Sequence, residues 1–323
     1  VFFQVSCSGK ADTQTGPDAN DTLSVLYNLD LLIRENPDNP EYYFQRAKYH
    51  LEEENVYSGS ADILKAIQLD SLNADYYVVL SQFNFLLKKV AETKANLETA
   101  MRLDPENVDA RLRYAEFQLY LKDYPKVFEN VNTALRLDKY SAKGYFIKGM
   151  AYLEMLDTNL AISSFQTTVE IDPEYYHAFM QLGILNAARK NELCVSYYNN
   201  AIKVNPGMPE AYYGLGYYYQ ETGRYNEALS TYDAMLKIAP DNAAAWYNKG
   251  FIQLLYTNNP DGAITCFSQA ITYEPRYADA YYNRGYAYEL KKNKEAAEKD
   301  YRNALNIDPE NQLAKSGLKR LGK

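Results

Sequence analysis

Apolar side chains recur along this chain in short bursts at helical spacing, and the bursts are cut at nearly equal intervals. Near the C-terminus Tyr281, Gly285 and Tyr288 step by four and three, and Ala297, Tyr301 and Ala304 do the same. Each set is one face of a helix. Lys292-Asn293-Lys294 between them reads as a short polar turn, of the length that joins antiparallel neighbours. Pairs of helices then stop at an aliphatic residue, an acid or amide, and usually a proline. Leu103-Asp104-Pro105, Ile171-Asp172-Pro173, Val204-Asn205-Pro206 and Ile307-Asp308-Pro309 are examples. The stop column is Pro37, Ser71, Pro105, Lys139, Pro173, Pro206, Pro240, Pro275 and Pro309, with steps of 34, 34, 34, 34, 33, 34, 35 and 34. Proline forces its predecessor out of the α region, so the column marks helix ends. The pattern predicts eight helix–turn–helix repeats over residues 38–309, hence sixteen antiparallel helices and no strand.

A second column is small: Gly149, Gly183, Gly216, Gly250 and Gly285, with Ala47, Ser81 and Ala115 in the first three repeats. Small residues let helix backbones approach, and Tyr145, Tyr212, Trp246 and Tyr281 are expected to fill the gaps beside them. The first three repeats, without the glycine, are expected to pack a little farther apart. Repeat arrays must cover their end faces. Residues 21–37, with Leu23, Leu26, Leu29, Leu32 and Ile33, read as an N-terminal capping helix. Residues 310–323, with Leu313, Leu318 and Leu321, read as a C-terminal one.

These columns resemble the tetratricopeptide repeat, whose pattern is W-x2-L-G-x2-Y, then A-x3-F, then P over 34 residues. The sixth repeat carries it as Tyr212, Leu215-Gly216, Tyr219, Ala228, Tyr232 and Pro240. The seventh has Trp246, Lys249-Gly250, Ala263, Phe267, Ala270 and Pro275, and the fourth has Tyr145, Gly149, Tyr152, Ala161, Phe165 and Pro173. The resemblance implies an all-α fold, a right-handed α-solenoid with a capping helix at each end. It also implies a scaffold that binds a peptide or protein segment in a concave groove.

Composition narrows the chemistry. A net charge of −8 argues against a general nucleic-acid binder, and the longest basic run, Lys291-Lys292-Asn293-Lys294, lies among Glu289, Glu295 and Glu298. Cys7, Cys194 and Cys266 form no CxxC pair, and His50 and His177 have no His or Cys near them in sequence, so no metal site is legible. No phosphate-binding glycine loop, nucleophile elbow or metalloprotease motif occurs. The sequence therefore points to no cofactor, no catalytic residue and no small-molecule substrate. Cys194 and Cys266 read as small apolar fillers in second helices two repeats apart, too far for a disulfide. Tyrosine is abundant at 33 residues, which suits both half-buried packing and recognition surfaces.

Residues 1–20 lack a helical pattern and are polar. Val1-Phe2-Phe3-Gln4-Val5-Ser6-Cys7 resembles the end of a bacterial lipoprotein signal peptide, although Gln4 departs from the usual aliphatic residue. That resemblance makes Cys7 the candidate lipidation site. It places the array in a bacterial cell envelope, facing the periplasm and touching a membrane only through its anchor. A soluble cytoplasmic adaptor with an incidental cysteine stays open beside it, as does a structural spacer with no groove ligand.

Recognition residues fall on the first helix of each repeat, opposite its packing stripe. One column is Phe44, Val78, Leu112, Phe146, Met180, Tyr213, Tyr247 and Tyr282. The next is Lys48, Gln82, Glu116, Met150, Ile184, Tyr217, Phe251 and Tyr286. Asn248 and Asn283 match the asparagine that binds a peptide backbone in some members of the family resembled. The expected protein-binding set is Tyr213, Tyr217, Tyr247, Asn248, Phe251, Tyr282, Asn283 and Tyr286. Packing against neighbouring repeats is the competing role for each tyrosine.

Overall fold

The computed structural model describes the backbone of residues 19–323 and the side chains from Val25 onward. The described residues form eighteen α-helices and no strand. The helix α1 is Ala19–Glu35. First helices of the repeats are α2 (Pro40–Glu52), α4 (Ala74–Leu86), α6 (Val108–Tyr120), α8 (Ala142–Glu154), α10 (Tyr176–Ala188), α12 (Pro209–Glu221), α14 (Ala243–Leu255) and α16 (Ala278–Leu290). Second helices are α3 (Val56–Leu69), α5 (Val90–Leu103), α7 (Tyr124–Leu137), α9 (Thr158–Ile171), α11 (Leu193–Val204), α13 (Tyr225–Ile238), α15 (Pro260–Tyr273) and α17 (Lys294–Ile307), with α18 (Gln312–Arg320) after them. The architecture is the expected α-solenoid of tandem helix pairs. The described residues divide into two compact units, one ending at Leu182 and one spanning Gly183–Lys323, with the boundary inside α10.

The repeating stop is made by side chains as well as by proline. Asp70, Asp104, Asp138, Asp172, Asn205 and Asp308 each accept the backbone N–H two residues on, at 2.9–3.2 Å. This local turn competes with helical bonding and ends the second helix. Asn107, Ser141, Asn242 and Asn311 then cap the next helix, each accepting an N–H at 2.8–3.2 Å. Within each repeat the turn between helices needs a residue in the left-handed region. Leu156 sits there at φ 63°, Lys122 at 60° and Lys292 at 62°, and Gly223 takes the same place at 76°.

Two of the expected gap-fillers, Tyr212 and Trp246, do something else, as do Tyr43 and Tyr77 in the same register. The Tyr43, Tyr77 and Tyr212 hydroxyls and the Trp246 indole N–H donate to the carbonyls of Pro37, Ser71, Pro206 and Pro240, six residues back, at 2.9–3.2 Å. A long side chain with a polar tip closes the preceding turn. Rings from the second helices take the place beside the small column instead. A Cβ on Gly149 would lie 2.6 Å from Phe165, on Gly183 2.7 Å from Tyr198, on Gly216 2.9 Å from Tyr232, on Gly250 3.0 Å from Phe267, and on Gly285 2.9 Å from Tyr301. Glycine is needed there because the ring lies directly on the backbone. The first three repeats place Ile63, Leu97 and Val131 at the ring position, all buried, and Ala47, Ser81 and Ala115 at the small position. A smaller side chain from the second helix thus leaves room for a methyl or hydroxymethyl group at the small position.

Ion pairs tie first helices to second helices on both sides. Arg46 grips Asp62 on α3 through two bonds of 2.7 and 2.6 Å and Asp30 on α1 at 2.5 Å. Arg284 grips Asp300 on α17 at 2.7 and 2.8 Å and reaches Ser268 on α15 at 3.0 Å. Bidentate pairs of this kind fix orientation as well as contributing energy.

Candidate protein-binding face

Three repeats of the C-terminal unit carry paired rings on their first helices. Tyr213 and Tyr217 on α12 have ring centroids 6.4 Å apart at 12°, Tyr247 and Phe251 on α14 6.2 Å at 28°, and Tyr282 and Tyr286 on α16 6.5 Å at 4°. Residues four apart lie above one another on a helix, so each pair stands as two near-parallel plates. The inner ring of each pair rests on the ring from its own second helix. Tyr213 lies 6.4 Å from Tyr232, Tyr247 5.7 Å from Phe267, and Tyr282 5.8 Å from Tyr301. Of the outer rings Tyr217 is open at 46% exposed, while Phe251 and Tyr286 are half-buried like the inner ones.

The two asparagines are not on the open surface expected of them. Asn248 and Asn283 are 8% and 7% exposed. Asn248 donates its amide to the Tyr232 hydroxyl at 3.2 Å and the Tyr213 hydroxyl at 3.4 Å, and Asn283 donates to the Tyr247 hydroxyl at 2.9 Å. They link one repeat to the next and hold the inner tyrosines in place. In the sixth repeat the same register is Gly214, because the Tyr198 ring would lie 2.7 Å from a Cβ there.

Burial shapes the acidity of these phenols. It pushes Tyr247 up to about 12, with the Asp279 carboxylate adding to the rise and the Asn283 hydrogen bond opposing it. Tyr198 is pushed up to about 12 by burial, and Tyr232 is raised for the same leading reason. Tyr232 and Tyr247 are therefore neutral phenols around neutral pH, each accepting from an asparagine amide and keeping an O–H to offer.

Sequence reasoning missed two participants. Tyr277, just ahead of α16, stacks on Tyr247 at 4.8 Å and 25°, and Arg320 on α18 lies 5.6 Å above the Tyr286 ring. Tyr277 stands in the register that holds a capping Asn or Ser in repeats such as those of Asn107, Ser141 and Asn242, and it makes no side-chain cap. That break in the capping column was the legible signal. Arg320 had none, because its position follows from where α18 packs.

The matching columns of the N-terminal unit differ. Val78, Leu112 and Met150 are buried in the core. The Lys48 ammonium lies 5.6 Å above its own Phe44 ring, and Glu116 pairs with Lys143 at 3.2 Å.

Elsewhere, Cys194 and Cys266 are buried free thiols, and burial pushes Cys266 up to about 11. His50 lies 3.8 Å from Asp62, with burial lowering its pKa. The His177 ring meets Tyr176 edge-on at 5.4 Å. Among the described residues no group of three or more His, Cys, Asp or Glu could hold a metal ion, and no helix is long and apolar enough to cross a membrane. Cys7 lies outside the described residues.

Comparison with known proteins agrees with the repeat period. Models of the tetratricopeptide repeat match residues 142–175, 195–249 and 249–311. The chain is 34% identical over 90 residues to a UDP-N-acetylglucosamine–peptide N-acetylglucosaminyltransferase of Giardia intestinalis, a match covering 28% of the chain and 6% of that enzyme. It is 28% identical over 172 residues to human tetratricopeptide repeat protein 6, covering 52% of the chain and 33% of the relative. The fold is similar to the crystal structure of the C-terminal part of a TPR repeat-containing protein from Cytophaga hutchinsonii. That likeness has a TM-score of 0.64 and 19% identity, and covers 75% of this chain and 99% of that one. Stop column, glycine column, helix pairs and family models all agree on one assignment: the chain is a tetratricopeptide-repeat protein.

Proposed function

We propose that this protein is a non-catalytic scaffold that receives a segment of another protein on the aromatic face of α12, α14 and α16. The repeat fold is typical of protein–protein interaction, and the observation that carries the finer reading is the set of three parallel ring pairs with Tyr217 open. Aromatic side chains offer large contact area at low entropic cost and dominate binding where they cluster. The inner rings are held by amide and ring contacts, so a ligand would meet a preorganised surface. The short match to the Giardia transferase spans 6% of that enzyme, and its activity is not carried over to this chain.

A photo-crosslinking amino acid in place of Tyr217 should capture a partner segment, and the same group in place of exposed Lys237 on α13 should not. Capture from both positions equally, or from neither, would remove this face as the binding site. Tyr217→Ala should weaken capture by at least about tenfold. Its thermal midpoint should stay near that of the parent, since surface changes usually lie within about 0.5 kcal/mol.

We also propose that the array is tethered by lipid on Cys7 in a bacterial envelope, on the strength of the Val1–Cys7 resemblance. In cells, Cys7→Ser should abolish incorporation of a clickable palmitate analogue and move the protein to the soluble fraction. Unchanged labelling would refute the tether and leave the soluble adaptor.

A further inference from the structure

Resting on the reading above, we propose that the segment taken up by the C-terminal unit is cationic, an extended stretch whose Lys or Arg side chain seats on Tyr217. The protein already shows how such a cation is held. On α16 the Arg320 guanidinium lies 5.6 Å above the Tyr286 ring. It is clamped by both oxygens of Glu289, three residues after that tyrosine, at 2.9 Å each. Ring face and carboxylate act together: the ring quadrupole attracts the cation, and the carboxylate fixes the guanidinium plane.

On α12 an open ring and a carboxylate stand without a cation, with Gln220 in the register of Glu289 and the carboxylate one residue further on. Tyr217 is stacked on Tyr213 and open to solvent, and Glu221 follows one helical turn later. Glu221 is exposed, as are Glu210 at the other end of α12 and Asp279 on α16, and none of the three makes an ion pair among the described residues. Glu221 acts electrostatically on the Tyr232 hydroxyl, and Asp279 acts on those of Tyr247 and Tyr277, so both carboxylates are within electrostatic reach of the rings. The basic residues on these three helices are Lys249 and Arg284, and both are engaged by carboxylates of second helices, Asp233 and Asp300. The face therefore offers uncompensated negative charge beside the open Tyr217 ring. An acidic segment would be repelled there, and a neutral one would leave those carboxylates unused.

The test is a selection of random displayed peptides, long enough to cross three repeats, on the intact chain. Selected sequences should be enriched in Lys and Arg. Binding of the best peptide, followed by fluorescence anisotropy, should weaken with added salt. It should weaken about tenfold in the double variant Glu221→Gln with Asp279→Asn, and about fivefold in Tyr217→Leu, which keeps apolar area but removes the ring. Basic peptides that bind the double variant as tightly as the parent overturn the inference. Enrichment of apolar or acidic peptides that still depend on Tyr217 overturns it too, while leaving this face as a binding site. An empty selection, or peptides of any composition indifferent to Tyr217, overturns both the inference and the binding face.

Discussion

The two units are built on one repeat, yet they solve the helix-to-helix contact differently. In the N-terminal unit Ala47, Ser81 and Ala115 stand at the register opposite Ile63, Leu97 and Val131, and at that register Gly149 alone is a glycine and meets a ring, Phe165. In the C-terminal unit Gly183, Gly216, Gly250 and Gly285 meet Tyr198, Tyr232, Phe267 and Tyr301. A tyrosine at this position carries its hydroxyl past the contact toward the first-helix face. There Tyr232 accepts from Asn248, and Tyr301 donates to Glu289 at 2.5 Å and accepts from Arg320 at 3.3 Å. The core of this unit is thereby wired to its surface rings. Among the described residues of the N-terminal unit's face, Lys48 covers its own Phe44 ring and Lys143 pairs with Glu116. Losing a side chain to glycine costs about 1 kcal/mol of helix propensity, and the buried ring offsets it.

The largest test of this contrast removes the ring. Tyr232→Ala should destabilise the C-terminal unit by about 3–5 kcal/mol, because it deletes a fully buried aromatic and leaves the Asn248 amide only its longer bond to Tyr213. Val131→Ala, at the same register in the N-terminal unit, should cost less, since it removes only two methyl groups. Urea unfolding followed by circular dichroism reads both, and equal losses would break the comparison.

Alkali should separate the units next. Buried phenols with raised pKa values favour folding fully below their unfolded value near ~10, and that contribution is lost as pH rises through the folded values, about 12 for Tyr198 and Tyr247. The C-terminal unit should therefore unfold first between those limits. Tyrosinate absorbance should rise together with loss of its helicity, and hydrogen exchange should show residues 183–323 opening ahead of the rest. Simultaneous opening would mean that the phenols do not distinguish the units.

The smallest effect lies in the turns. Leu156 holds φ 63° and is highly exposed, whereas Gly223 holds 76° at the matching place. Leu156→Gly should raise stability, or at worst leave it unchanged, because relief of left-handed strain of roughly 1–2 kcal/mol opposes the added chain entropy. Gly223→Leu should lower it by about 1 kcal/mol. Thermal midpoints of the two variants shifting in the same direction would show that the turn strain is not shared.

Much of the fold was written in the chain. The stop column placed every second-helix end because proline and, at six of the eight ends, an Asp or Asn that makes a local turn act through few neighbours. The small column placed the helix contacts for the same reason of steric locality. The partners across those contacts were less legible. Tyr145, Tyr212, Trp246 and Tyr281 look like fillers by size, and only the folded turn shows Tyr212 and Trp246 reaching a carbonyl six residues back. The ring columns of the candidate face could also be read from the sequence, since residues four apart share a helix face whatever the context. Whether a polar side chain on that face is open or spent depends on its neighbours in the adjacent repeat, which helical periodicity does not encode. Hence Asn248 and Asn283 are buried against tyrosine hydroxyls, Lys48 covers its own ring, Arg320 is delivered to Tyr286 by the packing of α18, and Tyr217 stays open beside an unpaired Glu221. The sequence by itself determined the period, the helix ends and which residues share a face, all set by local sterics and hydrogen bonding. The tertiary structure decided which of those residues are free to bind, because desolvation and charge compensation are fixed only when neighbouring helices meet.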